Sequence, residues 1–340
     1  MQTSTIVSRP ALFLHADDFG MNTAVNAGVM RALEAGLLTS TSVLANAPAA
    51  AAALAAWSQL DVVRRSSAVP ARPTRLRIAG GRADCDLGVH LNLTQGRPLT
   101  PDFPSALLDR RGCFPGIFGL FAKLGHLPPG TALGTRARRT AEAIAAELRA
   151  QIEFVTSHGI APTHFNGHQY IELIPVVGEI VIALAREYGV ATIRVAREPE
   201  ILRYARPGVG GPLQAFLGFV KRRFARQFAR AVAAAGLAAP AAFFGTLHAG
   251  RISRALLENY LTCGRAYSSV EIAVHPAELA ESVDVPMEWV DPLATLRPTE
   301  LAWLCDPATA ERITATGYEL GRLADLAAPV PHRDLTRRAA

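Results

Sequence analysis

The residues of this chain best suited to bind a metal, move protons or hold an anion fall at the ends of short apolar runs. In order they are Asp17 and Asp18, His90, His164, Asn166 and His168, Arg194 and Arg197, and His275. The first pair, in "ALFLHADDFGMN", poses the sharpest physical question. Two adjacent carboxylates at the end of a buried strand repel each other and resist burial unless positive charge sits against them. A carboxylate and two imidazoles drawn from separate strands are an ordinary ligand set for a catalytic divalent ion with open positions. The second carboxylate could take a proton from water and a further histidine could return one to a leaving group. Taken singly the residues have plainer readings. A histidine at a strand end is commonly structural, and Asp17–Asp18 could cap the helix beginning near Asn22.

The elements that must position these residues follow from periodicity. A strand over 11–16 leads into a helix with Val25, Val29, Leu33 and Leu37 on one face and Gly36 as its stop. A second strand is expected over Ser40–Asn46 and a helix over Ala47–Leu60. Residues 61–84 are rich in Arg, Ser, Pro and Gly and read as a loop excursion. A strand within Cys85–Thr94 ends near His90, and 105–130 reads as an irregular, lid-like segment. The helix Thr135–Gly159 carries Ala141, Ile144, Leu148, Ile152 and Val155 on one face. A short strand before Asn166–Gly167, a helix Val176–Tyr188, a strand in "GVATIRVAREPE", a strand in "SVEIAVHPAE" and helices near 298–325 complete the alternation. Alternating strands and helices predict a parallel α/β fold. Polar residues at the strand ends predict a barrel with its site at the C-terminal rim. The expected fold class is a distorted (β/α) TIM-like barrel, one domain over 10–330 with a tail at 331–340.

Composition sets the bounds. The chain has 340 residues, half of them hydrophobic, a net charge of +6 and four widely spaced cysteines with no C-x-x-C pair. This disfavours a zinc–thiolate site. No apolar run reaches the roughly 18 residues of a spanning helix, and the first residues lack a signal-peptide layout. The expected location is cytoplasmic. Residues 203–240 form a basic insert. Between Arg203 and Arg230 it has seven basic residues and no acidic one, interleaved with Phe216, Phe219, Val220, Phe224 and Phe228. Phe216, Val220, Phe224 and Phe228 share a helical face. That face could pack on the barrel with a solvated basic side. Alternatively the helix 216–230 could lie peripherally on the inner membrane face. No nucleic-acid module surrounds it.

Several segments occur in order and are specific: "HADDFGMNTAVNAGVMRALEAGLLTSTSVLAN", "LGVHLNLTQGRPL", "PTHFNGHQYIELIP", "IRVAREP", "FFGTLHAGRIS" and "AVHPAE". Together, over about residues 10–325, the chain resembles the YdjC family of carbohydrate deacetylases. It resembles the hopanoid-associated HpnK branch more than the chitooligosaccharide branch, ChbG. The resemblance implies a metal-dependent hydrolase that removes an N-acetyl group from an amino sugar, on a glycan or a glycolipid such as an N-acetylglucosaminyl hopanoid. It implies one divalent ion, magnesium or zinc, held by Asp18, His90 and His168. Asp17 would be the general base and His275 the general acid. Asn166, Glu172, Arg194 and Arg197 would face the substrate, although Arg197 could instead pair with Glu198 or Asp17. Glu172 stands where the family commonly has His, and Asn166 where Asp is common. A phosphoesterase on the same scaffold, its phosphate held by Arg194 and Arg197, and a non-catalytic sugar- or lipid-binding protein are the alternatives. Oligomeric state is left open, with a homodimer as one outcome.

Overall fold

The computed structural model describes residues 9–66, 85–125, 127, 134–199, 212–279, 286 and 288–327, with 61–66 and 212–220 described as backbone only. The first unit is β1 (Ala11–Phe19) and α1 (Thr23–Ala35), then β2 (Ser40–Val43) and α2 (Ala50–Ser66). Next come β3 (Asp86–Leu91), α3 (Gly116–Leu124), α4 (Thr135–Ser157) and β4 (His164–Gly167). A 3₁₀ segment His168–Leu173 leads into α5 (Pro175–Glu187), β5 (Thr192–Ile193), α6 (Pro212–Ala234) and β6 (Ala242–Phe244). The chain ends with α7 (Arg254–Gly264), β7 (Ser269–Val274), α8 (Arg297–Leu304), α9 (Pro307–Ala315) and β8 (Glu319–Leu320).

The strands form one sheet in the order β5-β4-β3-β2-β1-β7-β6, and all its ladders are parallel. β8 joins at Ala11 and Leu12 of β1, ahead of the point where β2 begins to pair. Among the described residues the two edges meet locally, through a bridge between Thr192 and Ala238, a bond from the Phe243 N–H to the Arg197 carbonyl at 3.3 Å, and side-chain bonds of Arg197 and Glu198 to the segment 241–246. The sheet is therefore a curled, distorted (β/α) barrel, with α6 connecting the two edge strands.

Period-two alternation explains the inner face. His15 and Asp17 of β1, Asp86 and His90 of β3, His164 and Asn166 of β4, and Glu271 of β7 are all buried. Their partners of opposite parity, such as Leu12, Leu14, Val89, Phe165, Val270 and Ile272, belong to the apolar core. At Gly88 a side chain is excluded, because a Cβ there would lie 2.4 Å from the His164 imidazole. Outside the sheet, α1 is capped by Asn22, whose side chain accepts from the Val25 N–H at 2.8 Å. It ends at Gly36, whose φ of 86° a left-handed C-terminal turn requires. The cap is thus Asn22, leaving Asp17 and Asp18 to other partners.

Local boundaries differ from the sequence expectation for physical reasons. The excursion begins later than 61, because α2 runs to Ser66; 67–84 lie outside the described residues, as do 203–211 and the tail. The segment 105–130 contains a regular helix, α3, whose apolar pattern is masked by three glycines in "GIFGLFAKLG". On α4 the buried face is partly polar. Glu147 accepts from the Leu99 and Thr100 N–H groups at 3.0 and 2.9 Å, and Gln151 bonds both the N–H and the carbonyl of Asn92. This helix therefore fixes the connection that leaves β3 just after His90.

The glycine in the barrel interior gives a direct test. Gly88→Ala forces the His164 ring off its place and is expected to lower stability by about 1–3 kcal/mol, read by denaturant unfolding.

Candidate metal centre and active site

Adjacent residues of a strand point to opposite faces, so Asp17 and Asp18 should not share a pocket. A bulge brings them together. β1 advances from Ala16 to Phe19 while β2 advances only from Thr41 to Val43, and Asp18 takes a left-handed φ of 67°. The described non-glycine residues with positive φ are Asp18, Gln169 and Tyr170. One is a candidate ligand and the others directly follow another, His168, where strain is held by the surrounding structure.

Asp18 Oδ1 lies 3.2 Å from His168 Nδ1 and 3.6 Å from His90 Nε2, and the two nitrogens are 3.3 Å apart. All three residues are buried. The tautomer of His168 can be worked out. The Gln95 amide donates to the Val290 carbonyl at 2.7 Å, which turns its Oε1 toward His168 Nε2 at 3.3 Å. Nε2 then carries the proton, and the bare Nδ1 faces the Asp18 oxygen. Lone pair against carboxylate is repulsive unless a positive charge lies between them. Ligand bonds of about 2.0–2.2 Å put neighbouring ligand atoms roughly 3.0–3.5 Å apart, close to the observed separations. These residues fit a divalent ion.

Each aspartate also has its own arginine. Arg194 Nη1 donates to Asp17 Oδ2 and Arg297 Nη2 to Asp18 Oδ2, both at 2.7 Å. Burial alone would raise both carboxyls, but the guanidiniums, with the nearby histidines, hold them well below the usual carboxylate range. Asp17 Oδ1 further accepts from Asn166 Nδ2 at 3.0 Å. Arg194 is itself fixed by Glu271 at 2.7 Å and donates to His15 Nδ1 at 2.7 Å. His15 Nδ1 thus lies between the Arg194 guanidinium and Asp17 Oδ1 at 3.1 Å, and its Nε2 lies 2.8 Å from His164 Nε2. Arg297 is fixed by Asp291 through Nε and Nη2.

His275 stands across from Asp17, its Nε2 3.8 Å from Asp17 Oδ2. Burial lowers it to about 4, so it rests neutral. Glu300 orients it by accepting its backbone N–H at 2.6 Å and also holds the Ile252 N–H.

Three expected substrate contacts are corrected. Arg194 is fully buried and engaged by Asp17, Glu271 and His15, so it positions Asp17 and does not face substrate. Arg197 is exposed and donates to the Ala241 carbonyl at 2.7 Å, pairing with neither Glu198 nor Asp17. Glu172 is not on the rim. It is buried beneath the 168–173 turn, where a Cβ on Gly167 would lie 2.1 Å from its Oε2. Neither of its oxygens has a hydrogen-bond partner among the described residues, and burial pushes its carboxyl up to about 7. Asn166 stays at the site, beside Asp17. His15, Gln95, Glu271, Arg297 and Glu300 are supporting residues that the sequence reading missed. Lys221, expected on the basic face, instead turns inward, its Nζ 3.1 Å from the centre of the Tyr170 ring. Burial lowers it, and it neighbours Glu198 and Glu172.

Two tests follow from this geometry. Asp18→Asn removes the anionic ligand and should weaken binding of a divalent ion by at least tenfold, read by calorimetric titration of zinc or magnesium. The raised carboxyl of Glu172 makes the folded state hold its proton up to about pH 7, whereas the unfolded chain releases it near the ordinary 4.5. Its contribution to stability is therefore lost as pH rises through that window. Glu172→Gln should gain on the parent by roughly 2–3 kcal/mol between pH 4.5 and pH 8, in paired denaturation curves that cancel the other buried acids.

Comparison with known proteins agrees with this architecture. The family model described as YdjC-like protein matches residues 11–315. A chitooligosaccharide deacetylase of Escherichia fergusonii is 28% identical over 318 residues, covering 93% of this chain and 98% of the relative. A carbohydrate deacetylase of Geobacillus stearothermophilus is 32% identical over 186 residues, 54% of this chain and 60% of that relative. With that protein, as with several others, the match spans only half to two thirds of the relative's length. A crystal structure of an Enterococcus faecalis protein assigned to cellobiose-phosphate cleavage superposes with a TM-score of 0.63 at 20% identity, covering 94% of this chain and all of that one. The fold is common to both, and the match of the family model over most of the barrel places this chain in the YdjC-like family.

Proposed function

We propose that this protein is a divalent-metal-dependent carbohydrate deacetylase that hydrolyses the N-acetyl amide of an amino sugar. The reading is carried by one observation: Asp18, His90 and His168 converge beside an ionised Asp17 that is not part of the ligand set. The names of the relatives supply the substrate class. A divalent ion, zinc or magnesium, held by Asp18, His90 and His168 would polarise the amide carbonyl and acidify water. Asp17, kept ionised by Arg194 and oriented by Asn166, accepts the proton from the attacking water. The C–O bond forms at the acetyl carbon, and the C–N bond breaks as the nitrogen leaves. That nitrogen needs a proton. His275 rests neutral, so it delivers one only after receiving it, and Asp17 at 3.8 Å is the donor within reach. The products are acetate and the free amino sugar.

The phosphoesterase alternative loses its residues, because Arg194 is saturated by anions of the protein and Arg197 faces away. The non-catalytic alternative rested on Glu172, which lies behind the turn and leaves the ligand set intact. For the substrate we favour an amphipathic, lipid-borne amino sugar of the hopanoid-associated branch over a fully soluble glycan. The basic helix α6 and the exposed phenylalanines of α3 support that choice.

The deciding experiment is acetate release from N-acetylated chitooligosaccharides and from an N-acetylglucosaminyl lipid with a series of divalent ions. Asp17→Asn and His275→Ala should each lower turnover by about 10²-fold or more while the metal content stays at that of the parent. Normal turnover in either variant would exclude that residue from the proton path.

A further inference from the structure

We propose that the face formed by α3 and the outer side of α6 docks on an anionic lipid surface, presenting the barrel mouth to the membrane. The proposal does not depend on the deacetylase reading.

The first observation is where apolar side chains are exposed. Single exposed hydrophobics are ordinary on any protein. Here every exposed large one among the described residues lies on two connections: Leu99, Phe118 and Phe121 between β3 and α4, Leu279 and Val290 between β7 and α8. Both connections leave the C-terminal ends of parallel strands, the end that carries His90 and precedes His275. They are tied together beside the candidate metal ligands, since Gln95 bridges His168 and the Val290 carbonyl. Phe118 is 76% exposed and Phe121 41%, three residues apart on one face of α3.

The second observation is the charge beside them. Phe121 meets Phe224 of α6 edge to face at 5.8 Å between ring centres. Phe224 and Phe228 turn toward the barrel, where Phe228 is buried against Gly178. With that face inward, the helical period turns Arg223, Arg226 and Arg230 outward, and all three are exposed. No acidic residue lies between Arg203 and Arg230 to neutralise them. An exposed aromatic pair abutting a row of arginines matches an anionic bilayer interface, where rings enter the headgroup region and guanidiniums pair with phosphates. The sequence reading left open whether the face with Phe224 and Phe228 packs on the barrel or meets a membrane. The structure assigns those rings to packing, and α3 supplies the apolar contact. No described helix is long and apolar enough to cross a membrane, so the contact is peripheral.

The test is flotation of the full chain, without substrate, on phosphatidylcholine vesicles with and without about 30% phosphatidylserine. The expected result is binding to the anionic vesicles at about 50 mM salt, lost at about 500 mM. Arg223→Gln, Arg226→Gln and Arg230→Gln combined should lower partitioning about a hundredfold. Phe118→Ser, a change at a largely exposed ring, should lower it about tenfold with an unaltered melting curve. Absence of binding at low salt overturns the proposal. So does equal binding by both variants, or light scattering showing a dimer that dissociates in Phe118→Ser, which would make this face a contact between two copies of the chain.

Discussion

Two adjacent carboxylates buried at one end of a barrel are the constraint around which the rest of the site is organised. Asp17 and Asp18 can be neighbours because each is met by its own guanidinium at 2.7 Å. Arg194 approaches through the barrel interior, anchored on Glu271 of β7. Arg297 approaches from the start of α8, anchored on Asp291. Removing either arginine would leave a buried anion uncompensated, which costs far more than the pair itself contributes. The division of labour has a chemical consequence. The arginines occupy one oxygen of each carboxylate, so Asp18 Oδ1 is left for His90 and His168 and Asp17 Oδ1 for Asn166 and His15. One aspartate is thereby committed to the ligand cluster and the other kept out of it, although they are consecutive in the chain.

The same logic explains why the barrel interior is polar at this level. A charged network with Arg194 at its centre joins β1, β4, the end of β5 and β7 across the lumen. His15 and His164 extend it toward the base of the barrel, and Gly88 makes room for the His164 ring. Such networks stabilise only when every member has a partner. Most do here. Glu172 is one that does not, among the described residues. It lies behind the ligand turn without a hydrogen bond, near the inward-facing Lys221, which makes this corner sensitive to pH and to the placement of α6.

Much of this was legible in the sequence, and the failures have identifiable causes. The β1–α1 unit could be read because its 3.6-residue period, its Asn22 cap and its Gly36 stop all agree. The histidines could be read because a parallel barrel gathers strand ends whatever their separation along the chain. Arg297 and Glu300 could not, since they enter the site from a helix start that no strand-end rule points to. Arg194 and Arg197 were treated alike, yet Arg194, one residue past β5, is fully buried against Asp17 and Glu271, whereas Arg197 follows a turn closed by its N–H on the Val195 carbonyl and is exposed. Glu172 was misjudged because a rim position four residues after His168 presumes regular backbone. Gln169 and Tyr170, at φ 53° and 63°, turn the chain instead.

Helix α6 shows how one element serves the inside and the outside at once. Lys221 lies three residues before Phe224 and seven before Phe228, so the helical period puts it on the packed face with the phenylalanines, not among the arginines. Its ammonium then sits over the Tyr170 ring, in the strained turn that follows His168. The arginines of the next turn point away from the barrel. A cation on the inner face lies over the ring of a residue two after a candidate metal ligand, and cations on the outer face meet whatever lies beyond the protein. A shift of this helix would carry the ammonium off the Tyr170 ring, a contact of 3.1 Å in the turn after His168. The sheet edges are joined nearby by the Thr192–Ala238 bridge, the Arg197–Phe243 bond, the Arg197 side chain on the Ala241 carbonyl, and Glu198, which accepts from the Gly245 and Thr246 N–H groups.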